Sequence, residues 1–160
     1  MQPILVAGVI FHFVMGFVLD FKNRSARPIS YAKFDGASNS SWASRNMIIS
    51  GLVVLAFLGL HFYDFWVPEM IYKYAEMNAI DETRYYPEMV HKFVSPIRTG
   101  LYSLSFLLLA AHLWHGFNSS FQSVGFNNKH SKALHKLGYA FAIVVPFGFI
   151  FIALFHHFNH

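Results

Sequence analysis

The sequence predicts an all-α protein, a bundle of helices that span a membrane. Of its 160 residues, 55% are hydrophobic and only 12% are charged, whereas a soluble domain carries about 25% charged residues. The apolar residues are grouped into long runs, and four of these runs approach the roughly 20 residues needed to cross a hydrocarbon core. We therefore expect one transmembrane domain that occupies residues 1–160.

Each predicted span is an apolar run bounded by polar or charged residues. Glycine and proline inside such runs are compatible with spanning, because neighbouring helices can satisfy the backbone groups that they free. The four predicted spans cover residues 3–21, 46–66, 96–121 and 137–158.

The loop charges predict the orientation of the spans. Basic residues crowd the loops after the first and third spans, so the positive-inside rule predicts that both loops are cytoplasmic. The net charge of +4 reflects these loops, and we expect no nucleic-acid partner. The middle loop contains four tyrosines, which indicate a segment at the membrane surface. They are Tyr72, Tyr74, Tyr85 and Tyr86.

Three histidines lie deep inside the apolar runs: His12, His61 and His112. A titratable ring at this depth is costly and usually serves to bind something. His12 and His112 each precede a glycine by four residues, Gly16 and Gly116. Because residues four apart share a helix face, each glycine leaves room beside the imidazole for a flat cofactor. The pattern predicts axial ligands of haem b.

The predicted depths pair two of the histidines. His12 and His112 each lie roughly 14 Å from the cytoplasmic end of their span, at 1.5 Å per residue. They are therefore level, as two axial ligands of one haem must be. His61 lies roughly 22 Å from the cytoplasmic end of its span, and no other histidine in these spans has that height. Either His61 is not a ligand, or its partner comes from a helix that this chain lacks.

Three segments resemble the cytochrome b membrane-anchor subunit of bacterial succinate dehydrogenase / fumarate reductase, in its single-anchor, two-haem form. These segments are 41–46 (SWASRN), 59–66 (GLHFYDFW) and 112–125 (HLWHGFNSSFQSVG). The last segment is the most specific, and the resemblance covers essentially the whole chain.

The resemblance implies a five-span anchor with two stacked haems b in the bacterial cytoplasmic (inner) membrane. Such an anchor passes electrons between menaquinone and a flavoprotein and iron–sulfur subunit pair, and the complex can form higher oligomers. His12 and His112 match the ligands of the inner haem, and His61 matches one ligand of the distal haem. The family's first span is absent from this sequence. We expect a missing N-terminal part, although a start site placed too late or a true four-span variant would also explain it.

Two further groups of residues are candidates around these cofactors. Cationic and hydroxyl side chains near the cytoplasmic rim could bind the propionates of the inner haem. These candidates are Arg24, Arg45, Ser41, Ser119 and Ser120. Polar and aromatic side chains that follow His61 could bind quinone or relay protons. These candidates are Tyr63, Asp64, Trp66 and Glu69.

Other functions agree with parts of the pattern. The anchor of a membrane-bound hydrogenase or formate dehydrogenase would also hold haem between two histidines, but with a different soluble partner. A small transporter or proton channel would use the histidines as relay groups and bind no haem. A structural anchor that has lost its haem is a third alternative, and the level pair of His12 and His112 argues against it.

Overall fold

A computed structural model describes residues 2–26, 46–79, 81–125 and 131–159. These residues are 91% helical and contain no strand. The all-α prediction is therefore confirmed for the described part of the chain.

The described residues form α-helices that are joined in places by shorter π-helical and 3-10 turns. The α-helices are α1 (Gln2–Ser25), α2 (Met47–His61), α3 (Val67–Met70), α4 (Tyr85–Val94), α5 (Pro96–Ser123) and α6 (Lys132–Phe158). The π-helical turns are Phe62–Trp66 and Ile71–Ala75, and the 3-10 turn is Glu82–Arg84. Because α2, α3 and the π-helical turns are continuous, they form one long helix over Met47–Ala75.

Three of the described helices are long and apolar enough to cross a membrane, which is consistent with a membrane protein. They are Gln2–Ser25, Met47–Ala75 and Lys132–Phe158. The segments Glu82–Val94 and Pro96–Phe121 meet this criterion together, but they are bent by 98° at the break between them. The described chain therefore has three such helices, or four if the bent pair counts as one span, and the four-span arrangement stays a prediction.

The contacts divide the chain into two compact units, Met1–Gly51 and Leu52–His160. In the first unit, α1 has no buried residue. Large apolar side chains are exposed along its whole length, including Ile4, Phe11 and Phe21. A helix that is apolar on all sides is typical of a membrane span rather than of a soluble surface.

In the second unit, α5 packs along α6, and α4 contacts both of these helices. The buried core lies around Tyr102, which is 2% exposed. The rings of Phe57, Phe93 and Phe106 surround it, with centroids 5.2, 5.3 and 6.1 Å from the Tyr102 ring. Edge-to-face packing of this kind adds to the stabilisation that burial of the rings supplies.

The helices α5 and α6 approach each other closely at Gly138. A methyl group at this position would lie 3.0 Å from Cε2 of Phe121 and 3.3 Å from Cβ of Phe117. The absence of a side chain at Gly138 therefore allows the two phenylalanine rings to pack directly against the backbone of α6.

Candidate functional site

His12 lies on an exposed face of α1, within the first unit. A glycine lies one turn away on each side, Gly8 and Gly16, and all three residues share one face of the helix. A Cβ atom built at either glycine would meet no atom within 4 Å. The backbone on both sides of the imidazole is therefore uncovered, as it is along the whole of α1, which has no buried residue. We call Gly8, His12 and Gly16 the bare stripe.

His112 lies on α5, within the second unit, and is half-buried. Gly116 follows it by one turn on the same face, as the sequence predicts. His12 and His112 belong to different units, so their pairing on one haem stays a prediction.

His61 has different surroundings. It is the last residue of α2, and its neighbours one turn away are Phe57 and Phe65 rather than glycines. The centroids of these rings lie 6.0 and 5.2 Å from the His61 ring, and the Tyr102 ring lies at 6.4 Å. The His61 imidazole is therefore part of an aromatic cluster, and a ligand would have to approach it from its exposed side.

The helix widens directly after His61, into the π-helical turn Phe62–Trp66. The N–H of Val67 donates to the carbonyl of Phe62, five residues earlier. Pro68 explains the widening, because it has no N–H to donate and its ring would clash with the Asp64 carbonyl in a regular helix. Such π-helical turns often occur at functional sites.

The π-helical turn separates the residues that were predicted to act together at a quinone site. Asp64 points into the protein and is 2% exposed, whereas Tyr63 is 67% exposed. Trp66 is also exposed. Asp64 therefore faces the interior of the protein, whereas the two aromatic residues face outward.

Three polar side chains surround the Asp64 carboxylate. The hydroxyl of Tyr102 donates to Oδ2 over 3.0 Å. The guanidinium of Arg98 lies 3.1 Å from Oδ1, and the ammonium of Lys92 lies 3.8 Å from the same oxygen. The two cations reach Oδ1 at ion-pair distance without the geometry of a hydrogen bond. A buried carboxylate of this kind persists because it is paired with opposite charge.

Glu69 belongs to a second cluster of charges. It pairs with Lys73, accepts a hydrogen bond from the Tyr85 hydroxyl at 2.8 Å, and lies 3.0 Å from the Arg84 guanidinium. Arg84 also bonds to Glu88 at 2.8 Å. Glu69 is thus occupied in holding the segment before α4 against the end of the long helix.

A groove runs between the end of the long helix and α4. It consists of a cleft of about 480 Å³ and a neighbouring one of about 290 Å³, and both are lined by Pro68 and Glu88. The larger cleft is also lined by Asp64, Pro87, His91 and Lys92. Its size is within the range of about 300–1,000 Å³ that is usual for small-molecule sites.

The residues Lys92, Arg98 and Tyr102 were not predicted as members of a site. A signal for two of them was present in the sequence, because Arg98 is the one residue among Asp, Glu, Lys and Arg within the predicted span 96–121, and Tyr102 lies one turn away on the same helix face. Such a charged residue within a membrane span is usually functional.

The propionate candidates are only partly described. Arg24 pairs with Asp20 at 2.7 Å on the exposed surface of α1. Ser119 and Ser120 are exposed near the end of α5, and the Ser120 hydroxyl donates to the carbonyl of Phe117 at 3.0 Å. Ser41 and Arg45 lie outside the described residues. The propionate role stays a prediction for all five candidates.

A non-haem metal centre finds no support among the residues that the structure describes. No group of three or more His, Asp or Glu side chains converges there in a way that could hold a metal ion. The sequence contains no cysteine. Haem ligation needs only one imidazole on each side of the iron, so this finding leaves the histidine prediction unchanged.

Comparisons of the chain with protein-family models, with curated proteins and with solved structures found no match.

Proposed function

We propose that this chain is the haem b membrane anchor of a succinate:quinone oxidoreductase and passes electrons between an iron–sulfur subunit and menaquinone. The observation that carries the proposal is the bare stripe, an imidazole with a glycine one turn away on each side on a membrane-length apolar helix. An ionisable residue within a membrane span is usually functional, and glycine on both sides leaves room on that helix face for a planar partner. The resemblance of segments 41–46, 59–66 and 112–125 to such anchors supports the same function.

In this proposal, His12 and His112 would supply the imidazoles that hold the inner haem, and His61 would supply one for a distal haem. Bound haem b supplies one-electron transfer, and its potential depends on its axial ligands, nearby charge and burial. The protein's own contribution is to orient the imidazoles and to exclude water with apolar helices.

The larger cleft is the proposed place for the quinone head group. Pro68 and Pro87 give it apolar walls, and Lys92 and His91 supply groups that can donate to quinone oxygens. Asp64 lines the same cleft, which keeps it among the candidate residues, whereas Glu69 is occupied by its ion pairs.

The proposed location is the bacterial cytoplasmic membrane, with the first and third loops on the cytoplasmic side. The basic residues of these loops would then face the iron–sulfur subunit, and the flavoprotein subunit would carry out the dicarboxylate chemistry. In this arrangement, the chain itself contributes electron transfer and quinone binding.

The test is a count of haem b per copy of this chain in the purified complex, by the pyridine haemochrome assay. We expect at least one haem, and we expect His12→Gln and His112→Gln each to remove the same one. His135→Gln is the matched control, because His135 lies near the start of α6 and contacts the rings of Phe121 and Tyr139. It should keep the full haem content.

The other outcomes separate the alternatives. A chain that folds but has no Soret absorbance would contradict the proposal and favour a haem-free transporter or structural anchor. Haem with a hydrogenase or formate dehydrogenase partner in the purified complex, and no flavoprotein, would favour an anchor of that other class.

A further inference from the structure

Asp64 contacts both sides of the sharp bend in the second unit. On one side of the bend, its partner is Lys92 of α4, and on the other side its partners are Arg98 and Tyr102 of α5. The bend between these two helices is 98°. One carboxylate from the long helix therefore bridges the two arms. We call Asp64, Lys92, Arg98 and Tyr102 the bend clamp.

The local sequence explains why the helix breaks but not the angle of the break. Ser95 has extended backbone angles, as expected for a residue before proline, and Pro96 begins α5. The carbonyl of Phe93 accepts a hydrogen bond from the Thr99 hydroxyl at 2.8 Å and lies 2.9 Å from Nδ1 of His157. These side chains supply polar partners for a backbone carbonyl at the break.

The charges of the bend clamp resist a change of angle. Lys92 and Arg98 both lie within 4 Å of Oδ1 of Asp64, so they are close to each other and would repel without the carboxylate. The Asp64 side chain is fully buried. Loss of the Asp64 charge would leave Lys92 and Arg98 unpaired beside each other, and because their side chains are 28% and 31% exposed, water would offset only part of that cost.

We propose that Asp64 sets the angle between α4 and α5 and thereby the width of the neighbouring cleft. The cleft has walls on the long helix, at Asp64 and Pro68, and on α4, at Pro87, His91 and Lys92. A rotation of α4 about the break would move the second wall relative to the first. The bend clamp is a property of the second unit and does not depend on the proposed haem function.

The angle can be measured with spin labels, because the chain has no cysteine of its own. Glu82 and Leu104 are exposed residues on the two arms, and replacing both by cysteine provides one label on each. Double electron–electron resonance on the labelled full chain in lipid nanodiscs then reports their distance distribution. For the parent protein we expect a single narrow peak.

The decisive variant is Asp64→Asn, which keeps the shape of the side chain but removes the charge that holds Lys92 and Arg98 together. We expect loss of the single narrow peak and the appearance of a second distance. Addition of Lys92→Gln to this variant removes the repulsion but leaves no ion pair between the two arms, so the second distance should persist. A return to the single narrow peak would show that packing sets the angle without Asp64 and would count against the proposal. Glu76→Gln is the control. Glu76 is an exposed acid that directly follows the long helix, and its hydrogen-bond partner is Asn78.

An unchanged distance distribution in Asp64→Asn would overturn the proposal. If that variant does not fold, Lys92→Gln decides the question, because it keeps the Asp64 carboxylate with its partners on α5 and removes only its ion pair to α4. A broader peak in Lys92→Gln would support the proposal, and a peak identical to that of the parent would overturn it. The haem count of the wild-type protein tests the proposed function separately.

Discussion

Replacement of Gly16 by leucine tests whether the bare stripe binds a flat cofactor. A Cβ at Gly16 would meet no atom within 4 Å, so a side chain can begin at this position without a clash at its first carbon. It should even stabilise α1 by up to about 1 kcal/mol, because glycine is a poor helix former. If haem lies over this face, the leucine would overlap it, and overpacking of this kind costs about 1–3 kcal/mol. A loss of about 2 kcal/mol corresponds to a roughly thirtyfold weaker affinity for haem.

The assay is a haem titration of the purified variant, followed by absorbance, with circular dichroism to establish that helix content is unchanged. Gly148→Leu is the matched control, because Gly148 lies in an apolar helix and is equally open, but has no histidine one turn away. We expect the control to bind haem like the parent protein. Full haem affinity in Gly16→Leu would refute the assignment of this face to the cofactor.

Three further changes test the fold. Gly138→Ala should lower the free energy of unfolding in detergent by about 1 kcal/mol, since the added methyl group meets phenylalanine carbons at 3.0–3.3 Å. The control is Gly148→Ala, whose added methyl group meets no atom within 4 Å and which should be neutral or stabilising. Met77 has a φ of 52°, and Met77→Gly should therefore raise the midpoint of thermal unfolding by relieving about 1 kcal/mol of strain, so that a decrease would argue against strain there. Hydrogen bonds from the Thr83 hydroxyl and backbone N–H lower the pKa of Asp81. The wild type should therefore have a higher midpoint of thermal unfolding than Asp81→Ala at pH values above the ordinary aspartate pKa, and this difference should vanish as the pH falls through the lowered pKa. A difference that does not depend on pH would contradict this linkage.

The helices were predictable because apolar runs of membrane length leave few alternatives to helix. The prediction was less successful at helix ends, where apolarity stops before the helix does. The second span was expected to end at residue 66, yet the helix continues to Ala75. Glu69 and Lys73 extend it as a charged pair four residues apart, and Tyr85 also bonds to Glu69 across the turn.

The candidate site was predictable where it depends on residues of one helix. His12 and Gly16 were found from their spacing, and Gly8 could have been found from the same spacing on the other side. The partners of Asp64 could not be predicted in this way. They come from two other helices and meet only because the chain bends between Lys92 and Arg98.

The neighbours one turn away from His12 and His61 distinguish the two proposed haem sites in physical terms. At His12, both neighbours are glycines, and a Cβ atom built at either one would meet no atom within 4 Å. At His61, both neighbours are phenylalanines whose rings contact the imidazole, and Tyr102 contacts it as well. A haem bound at His61 would have to displace part of this cluster or approach from its exposed side, and displacement of a packed aromatic ring costs about 1 kcal/mol or more in lost contacts. A haem bound at His61 therefore requires a rearrangement of aromatic side chains that the glycine neighbours of His12 do not impose.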